Sequence, residues 1–303
     1  MRITLIHNPE AGNGANTAGD LKKLLESGGH AVRYQSAKED GWKKALKKPA
    51  DLVVVAGGDG TVGRVTRRMA GRSVPIALLP SGTANNIART LGQLECPFEA
   101  LVRGWESGRR VRLDVALAKG PWGERNFVEG LGIGLFASLL GRSEVAKPKK
   151  SKRPVEDALR RLRRLAEECE AIEVAAELDG KDISGRYVLL EAMNLRYVGP
   201  NLHLAPDSQP GDGHFEVVLV TEAERPRLLQ YLDQWQEKRE RLAVLPSRRG
   251  QRLRLDWSGF ELHIDDRLHP KADAKPRAMA GPVEARMDGT TVEFLVPELN
   301  EKD

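Results

Sequence analysis

Leu52-Val53-Val54-Val55-Ala56-Gly57-Gly58-Asp59-Gly60-Thr61 decides the fold class of this chain. Five apolar residues, rich in valine, read as a short buried strand, and the glycines that follow end it in a tight turn. Two further stretches repeat the arrangement. Ile3-Thr4-Leu5-Ile6-His7 runs into Asn8-Pro9-Glu10-Ala11-Gly12-Asn13-Gly14, and Val74-Pro75-Ile76-Ala77-Leu78-Leu79 runs into Pro80-Ser81-Gly82-Thr83-Ala84-Asn85-Asn86. In an open α/β sheet, loops after parallel strands line one crevice, and ligands bind there. Glycine lets backbone amides turn toward an anion with no Cβ in the way. Three such loops describe a polyphosphate site.

Working outward, strand and helix signals alternate through the first hundred residues. Strands are expected near 2–7, 31–35, 52–56 and 74–79, and helices near 17–27, 39–47, 61–70 and 84–91. This rhythm predicts a mostly parallel sheet with helices on both faces. After about residue 111 the segments become short and strand-like: Arg112–Leu117, Ile172–Leu178, Tyr187–Met193, Phe215–Val220, Arg252–Trp257 and Glu261–Ile264. Turn chemistry such as Asp179-Gly180 and Ser258-Gly259 separates several of them. The expected fold class is therefore α/β plus β, with an N-terminal nucleotide-binding domain over 1–111 and an antiparallel β-sandwich over 112–285. The final run Thr291–Val296 can pair within the second domain or return with 286–303 to the first. Helices are expected at 154–169, with leucines on one face and four arginines largely elsewhere, and at 223–241.

At 303 residues with 40% hydrophobic and 30% charged content, the chain can bury a sizeable core and is not of disordered composition. A net charge of +5 favours anionic partners without choosing among them. Cys96 and Cys169 are far apart and read as reduced thiols, and the six histidines lack metal-ligand spacing. With no apolar leader and no apolar run long enough to cross a bilayer, a cytoplasmic protein is expected. Lys147, Lys149, Lys150, Lys152 and Arg153 precede the arginine-bearing helix. The basic segment 147–164 could thus dock transiently on anionic lipid, or its charges could simply stay solvated while the leucines pack inward. No nucleic acid is expected, because aromatic residues do not interleave with the basic run. The oligomeric state is not legible.

The glycine loops resemble the diacylglycerol kinase catalytic-domain family, which includes sphingosine kinases and bacterial soluble lipid kinases. The likeness rests on Asn8-Pro9-x-x-Gly12, Gly57–Thr61 and Pro80–Arg89, and more loosely on Asn194, Leu202–Pro206 and Asp212-Gly213. It implies a phosphofructokinase-like nucleotide domain, a lipid-binding β-sandwich, ATP as donor, Mg²⁺ as cofactor and a lipid hydroxyl as acceptor. By match of motif, Asn8, Pro9, Gly12, Gly57, Gly58, Asp59, Gly60, Thr61, Gly82, Thr83 and Asn85 surround the nucleotide. Asp59 would also hold Mg²⁺ through water. The family's late Asp-Gly-Glu segment is matched most closely by Asp265-Asp266-Arg267, which would make Asp265 the catalytic base; the competing Asp288-Gly289 lies too close to the terminal run Phe294–Pro297 for the usual spacing. Asp207 and Asp212 match a region that binds a structural Mg²⁺, and also read as an ordinary Asp-Gly turn. A lipid tail is expected in an apolar cleft near Phe127–Phe136. The chain departs from the family at Asn86, Asp266, Arg267 and Glu10. A NAD kinase-like enzyme, sharing the Gly-Gly-Asp-Gly-Thr loop, and a catalytically silent nucleotide or lipid sensor are the alternatives.

Overall fold

The computed structural model describes residues 1–94, 96–145, 153–270 and 280–298. The chain divides into two compact units, Met1–Val115 with Gly289–Asp303, and Ala116–Asp288.

The first unit alternates as its sequence pattern predicts. Its elements are β1 (Arg2–His7), α1 (Ala18–Ser27), β2 (Ala31–Ser36), α2 (Trp42–Ala45), β3 (Leu52–Gly57), α3 (Asp59–Met69), β4 (Ile76–Pro80), α4 (Asn86–Thr90), α5 (Phe98–Arg103) and β5 (Arg109–Asp114). The sheet order is β2-β1-β3-β4, then the C-terminal strand Thr291–Val296, then β5. The first four strands run parallel, so β1, β3 and β4 release their glycine loops side by side at one edge. All six residues of β3 are buried, as a central parallel strand covered on both faces requires. Helix α1 begins where the Thr17 hydroxyl accepts the Asp20 amide, and it buries Leu21 and Leu25.

The C-terminal strand joins this first sheet, parallel to β4 and antiparallel to β5. Helix α5 has no counterpart in the sequence reading, and the helix expected over 39–47 shrinks to the single turn of α2. The strand expected over Arg112–Leu117 is broken at Val115, whose amide leaves the strand ladder to donate to the Thr290 carbonyl at 2.8 Å.

The second unit is a sandwich of two antiparallel sheets. It comprises β6 (Ala116–Gly120), β7 (Gly123–Phe127), β8 (Gly130–Gly134), α6 (Leu135–Val145), α7 (Pro154–Glu168), β9 (Ile172–Val174), β10 (Ala176–Leu178), β11 (Lys181–Asp182), β12 (Gly185–Met193), β13 (Phe215–Thr221), α8 (Arg225–Gln236), β14 (Ser247–Gly250), β15 (Arg252–Trp257), β16 (Leu262–Ile264), β17 (Arg267–His269) and β18 (Gly281–Arg286). One sheet has the order β11-β10-β15-β18-β6-β7 and the other β14-β13-β12-β8-β16-β17, with β9 also paired to β12. The run expected as one strand over Ile172–Leu178 is two strands, because the chain changes sheets at Ala175: β9 pairs with β12, and β10 with β15.

Phe127, Phe215, Leu253, Trp257 and Leu262 fill the space between the sheets. A second apolar layer lies between the β12–β13 face and the helices, and includes Leu162, Leu165, Leu189, Val218 and Leu232. Helix α7 opens with Pro154 at its first turn and with Glu156 and Asp157, which suit the positive helix end. Arg225 donates to the Ala166 and Cys169 carbonyls at 2.6 and 2.8 Å, closing the other end of that helix. The leucines of α7 therefore point into the core, while Arg160, Arg161 and Arg164 are exposed.

Candidate functional site

The three glycine loops of the first unit touch at their backbones. Gly58 and Gly82 approach so closely that a Cβ on Gly58 would stand 2.9 Å from the Gly82 Cα. Gly12, at φ +60, would carry a Cβ 2.6 Å from the Ser81 carbonyl oxygen. The Ser81 amide in turn donates to the Gly57 carbonyl at 3.1 Å. Only glycine satisfies the first two contacts, so the loop sequences are set by backbone packing as well as by any ligand. Thr61 is buried with its side chain over Gly57, while Pro9, Gly12, Gly60 and Thr83 are exposed at the loop surfaces. The Asn8 side chain closes its own turn, its Oδ1 accepting the Glu10 amide at 3.2 Å.

Asp59 and Asn85 tie the second loop to the third. Asp59 is the first residue of α3, and its Oδ1 accepts the Ile87 amide at 3.0 Å, capping α4 from outside. Burial raises the carboxyl pKa of Asp59, and the amides of Ile87, Asn86 and Asn85 pull against that shift. Asn85 takes the left-handed conformation (φ 53), and its amide both accepts from and donates to the Gly82 backbone at 2.9 Å. The N-terminus of α3 opens at the glycine cluster, where its dipole favours an anion.

In the second unit, Asp265 and Asn194 converge on the connection Val128–Gly130. Asp265 starts the two-residue turn between β16 and β17 with φ 51. Its Oδ1 accepts the amides of Val128 (3.0 Å), Glu129 (2.8 Å) and Gly130 (3.4 Å), and its own amide donates to the Gly130 carbonyl at 2.8 Å. Asn194 donates its backbone N–H to the Glu129 carbonyl (3.0 Å) and its Nδ2 to the Val128 carbonyl (2.8 Å). The sequence reading named Phe127–Phe136 only as a place for a lipid tail and did not identify Val128–Gly130 as the loop that Asp265 and Asn194 hold. Its one sequence signal is the run of glycines at 130, 132 and 134, which resembles a breaker and is instead a buried strand.

A model of the diacylglycerol kinase catalytic domain matches residues 2–118. A model of the YegS C-terminal NAD kinase beta sandwich-like domain matches residues 144–288. The chain thus carries a diacylglycerol kinase catalytic domain followed by a YegS-type C-terminal domain. A diacylglycerol kinase of Bacillus subtilis (strain 168) is 27% identical over 236 residues, 73% of this chain and 74% of that protein. The "Probable lipid kinase YegS-like" protein of Pectobacterium atrosepticum is 26% identical, over 76% of this chain and 78% of its own. A solved diacylglycerol kinase structure from Bacillus anthracis strain Sterne shares the fold with a TM-score of 0.63 at 19% identity, covering 99% of this chain and 98% of that one.

This lipid kinase is thus a phosphotransferase, and family membership implies ATP as its phosphoryl donor. The glycine contacts suit phosphate, and Asp59 supplies a carboxylate within the same loops. Because that carboxylate already receives amides, it would hold Mg²⁺ through water, as a cation that keeps several of its waters permits.

The second expected metal position fits poorly. Asp212 accepts from Arg249 Nη2 at Oδ2 (2.7 Å) and from the His214 amide at Oδ1 (2.9 Å), so an arginine is already paired with it. Asp207 is exposed, and burial followed by the charges of Asp207 and Asp212 raises the Glu216 pKa nearby. Among the described residues, no three His, Cys, Asp or Glu side chains are grouped as metal ligands. Phe127 and Phe136 are fully packed, one in each apolar layer. Lys147, Lys149, Lys150 and Lys152 lie outside the described residues. No described helix is long and apolar enough to cross a membrane.

Proposed function

We propose that this enzyme transfers the γ-phosphoryl group of ATP to the hydroxyl of a lipid of diacylglycerol or sphingoid type at a membrane surface. The observation that supports the donor side is the backbone contact of the three glycine loops, Gly58 against Gly82 and Gly12 against Ser81, which gathers three strand ends and the N-terminus of α3 at one place. Asn8, Pro9, Gly57, Gly60, Thr61, Thr83 and Asn85 complete the nucleotide surround. Mg²⁺, when bound with the nucleotide, would neutralise phosphate charge as it develops during transfer. Asp59 would hold it through water while fixing the start of α4. Asp265 is the acceptor-side base: with three amides at Oδ1 and the Val128 amide also 3.3 Å from Oδ2, its carboxylate is fixed in place and would take the hydroxyl proton at Oδ2 as phosphorus–oxygen bond formation proceeds.

The test is transfer of label from [γ-³²P]ATP with Mg²⁺ to a lipid panel in mixed micelles. Label in a lipid product that Asp265→Asn abolishes is the expected result. ATP binding with no labelled lipid would replace this reading with that of a silent sensor. Labelled NADP⁺ from NAD⁺ would replace it with a NAD kinase.

Contact with the membrane would run through the exposed Arg160, Arg161 and Arg164 of α7. Replacing all three by glutamine is expected to weaken binding to anionic vesicles by roughly 100-fold, at about 1 kcal/mol for each basic residue. Unchanged vesicle flotation would remove α7 from the membrane contact.

A further inference from the structure

Glu191 and His263 are two buried ionisable groups, in contact with each other, that the proposed reaction leaves unused. Glu191 is 0% exposed and His263 3%. Along β12, Leu190 and Ala192 enter the layer between the sheets, while Leu189 and Met193 face the helices. Glu191 therefore projects to the helix side, into apolar surroundings where an unpaired carboxylate is costly.

The pair forms across an intervening strand. Glu191 is in register with Gly132 of β8, and Gly132 is in register with His263 of β16. Positions two strands apart are separated by roughly 10 Å at the backbone. The side chains meet because the middle position has none. A Cβ on Gly132 would overlap Glu191 Oε2 and stand 2.6 Å from its Cδ, and one on Gly130 would stand 2.8 Å from Oε1.

The ring bridges Glu191 to the Asp265 turn. His263 Nε2 lies 2.8 Å from Glu191 Oε2, and Nδ1 lies 3.0 Å from the Asp265 carbonyl oxygen. A carbonyl and an ionised carboxylate both accept, so with Glu191 ionised both ring nitrogens donate, the arrangement that favours the imidazole cation. The charged groups facing the ring are Glu191 from β12 and Asp265 from the turn. Strand β8 offers glycine, and α6 offers Phe136, whose centroid is 6.3 Å away. Burial alone pushes the ring toward neutrality. The Glu191 charge and hydrogen bond, with the Asp265 carbonyl and charge, outweigh it and raise the pKa.

We infer that Glu191 and His263 are positioning residues that hold the Asp265 turn for catalysis. His263 fixes the Asp265 carbonyl while Gly130 fixes its amide, so a residue at φ 51 is clamped on both sides. The inference rests on Asp265 acting on the acceptor hydroxyl. The stabilisation that the raised His263 pKa contributes is fully present below pH 6.5, the ordinary imidazole value, and is lost as pH rises through the raised folded value.

The experiment combines ¹⁵N imidazole NMR with lipid-kinase kinetics on the full chain. The His263 resonance, assigned by its loss in His263→Gln, is expected to stay cationic well above pH 6.5 and to lose that shift in Glu191→Gln. An asparagine side chain can reproduce the Nδ1 donor and a glutamine the Nε2 donor. With Glu191→Gln removing the charge in both backgrounds, His263→Asn is expected to keep kcat about 10-fold above His263→Gln, with the KM for ATP unchanged. Equal kcat in the two double variants, or ordinary titration of His263, overturns the inference. Should thermal melts show that the double variants do not fold, the titration of His263, assigned with the single variant His263→Gln, decides. Full activity of Asp265→Asn would sink the base assignment, while the titration would still test the pair.

Discussion

Asp265→Asn is expected to lower kcat by about two to four orders of magnitude, the usual contribution of a positioned general base. The fold should survive. Asparagine can still present one oxygen to the amides of Val128, Glu129 and Gly130, which the aspartate now holds within 2.8–3.4 Å. What it loses is the second acceptor oxygen. Asp265→Ala removes both functions, so it should cost thermal stability as well as turnover, each charged hydrogen bond being worth roughly 1.5–3 kcal/mol. Steady-state kinetics and melting curves on the two variants separate the roles. Equal turnover in Asp265→Asn and the unaltered enzyme would leave Asp265 as a staple for the β7–β8 connection and nothing more.

Gly82→Ala should act on the other substrate. The added Cβ would overlap the Gly58 Cα and stand 2.7 Å from Asn85 Oδ1. Neither obstacle is the free end of a flexible chain, because Asn85 is itself held by two hydrogen bonds to Gly82. Overpacking of this kind costs roughly 1–3 kcal/mol. Relief by separating the loops would weaken ATP binding by about 10- to 100-fold. Gly19→Ala is the control: its nearest neighbour is the Thr17 hydroxyl at 3.8 Å, within helix α1. That change should stabilise by roughly 0.4–1 kcal/mol and leave ATP affinity alone. Calorimetric titration with a non-hydrolysable ATP analogue, beside thermal melts, reads both effects. Unchanged affinity in Gly82→Ala would detach the glycine contact from nucleotide binding.

Much of the site was legible because its signals are local. Val53–Val55 followed by Gly57 and Gly58 is a strand and turn whatever else the chain does, and the same reasoning found β1, β4 and the leucine face of α7. The strand at Gly130–Gly134 was missed because three glycines in five residues argue for a loop when neighbours are unknown. Within the sheet, the same absence of side chains makes room for Glu191. Glu191 itself carried a signal that went unread: a carboxylate inside the apolar run Val188–Met193, in a strand covered on both faces, has to find a partner.

By itself, then, the sequence determined the α/β rhythm, the three glycine loops and the family to which they point, since turn propensity and hydrophobic period act over a few residues. The tertiary structure alone decided pairings between distant positions. It sent Thr291–Val296 to the first sheet, when its alternation would have suited either unit. It brought Asn194 and Asp265, 66 and 137 residues from Val128, onto the same loop. It also set Glu191 opposite His263 across Gly132. The reason is physical: strand register and buried charge are settled by whichever partner the folded chain presents, and no local pattern encodes that choice.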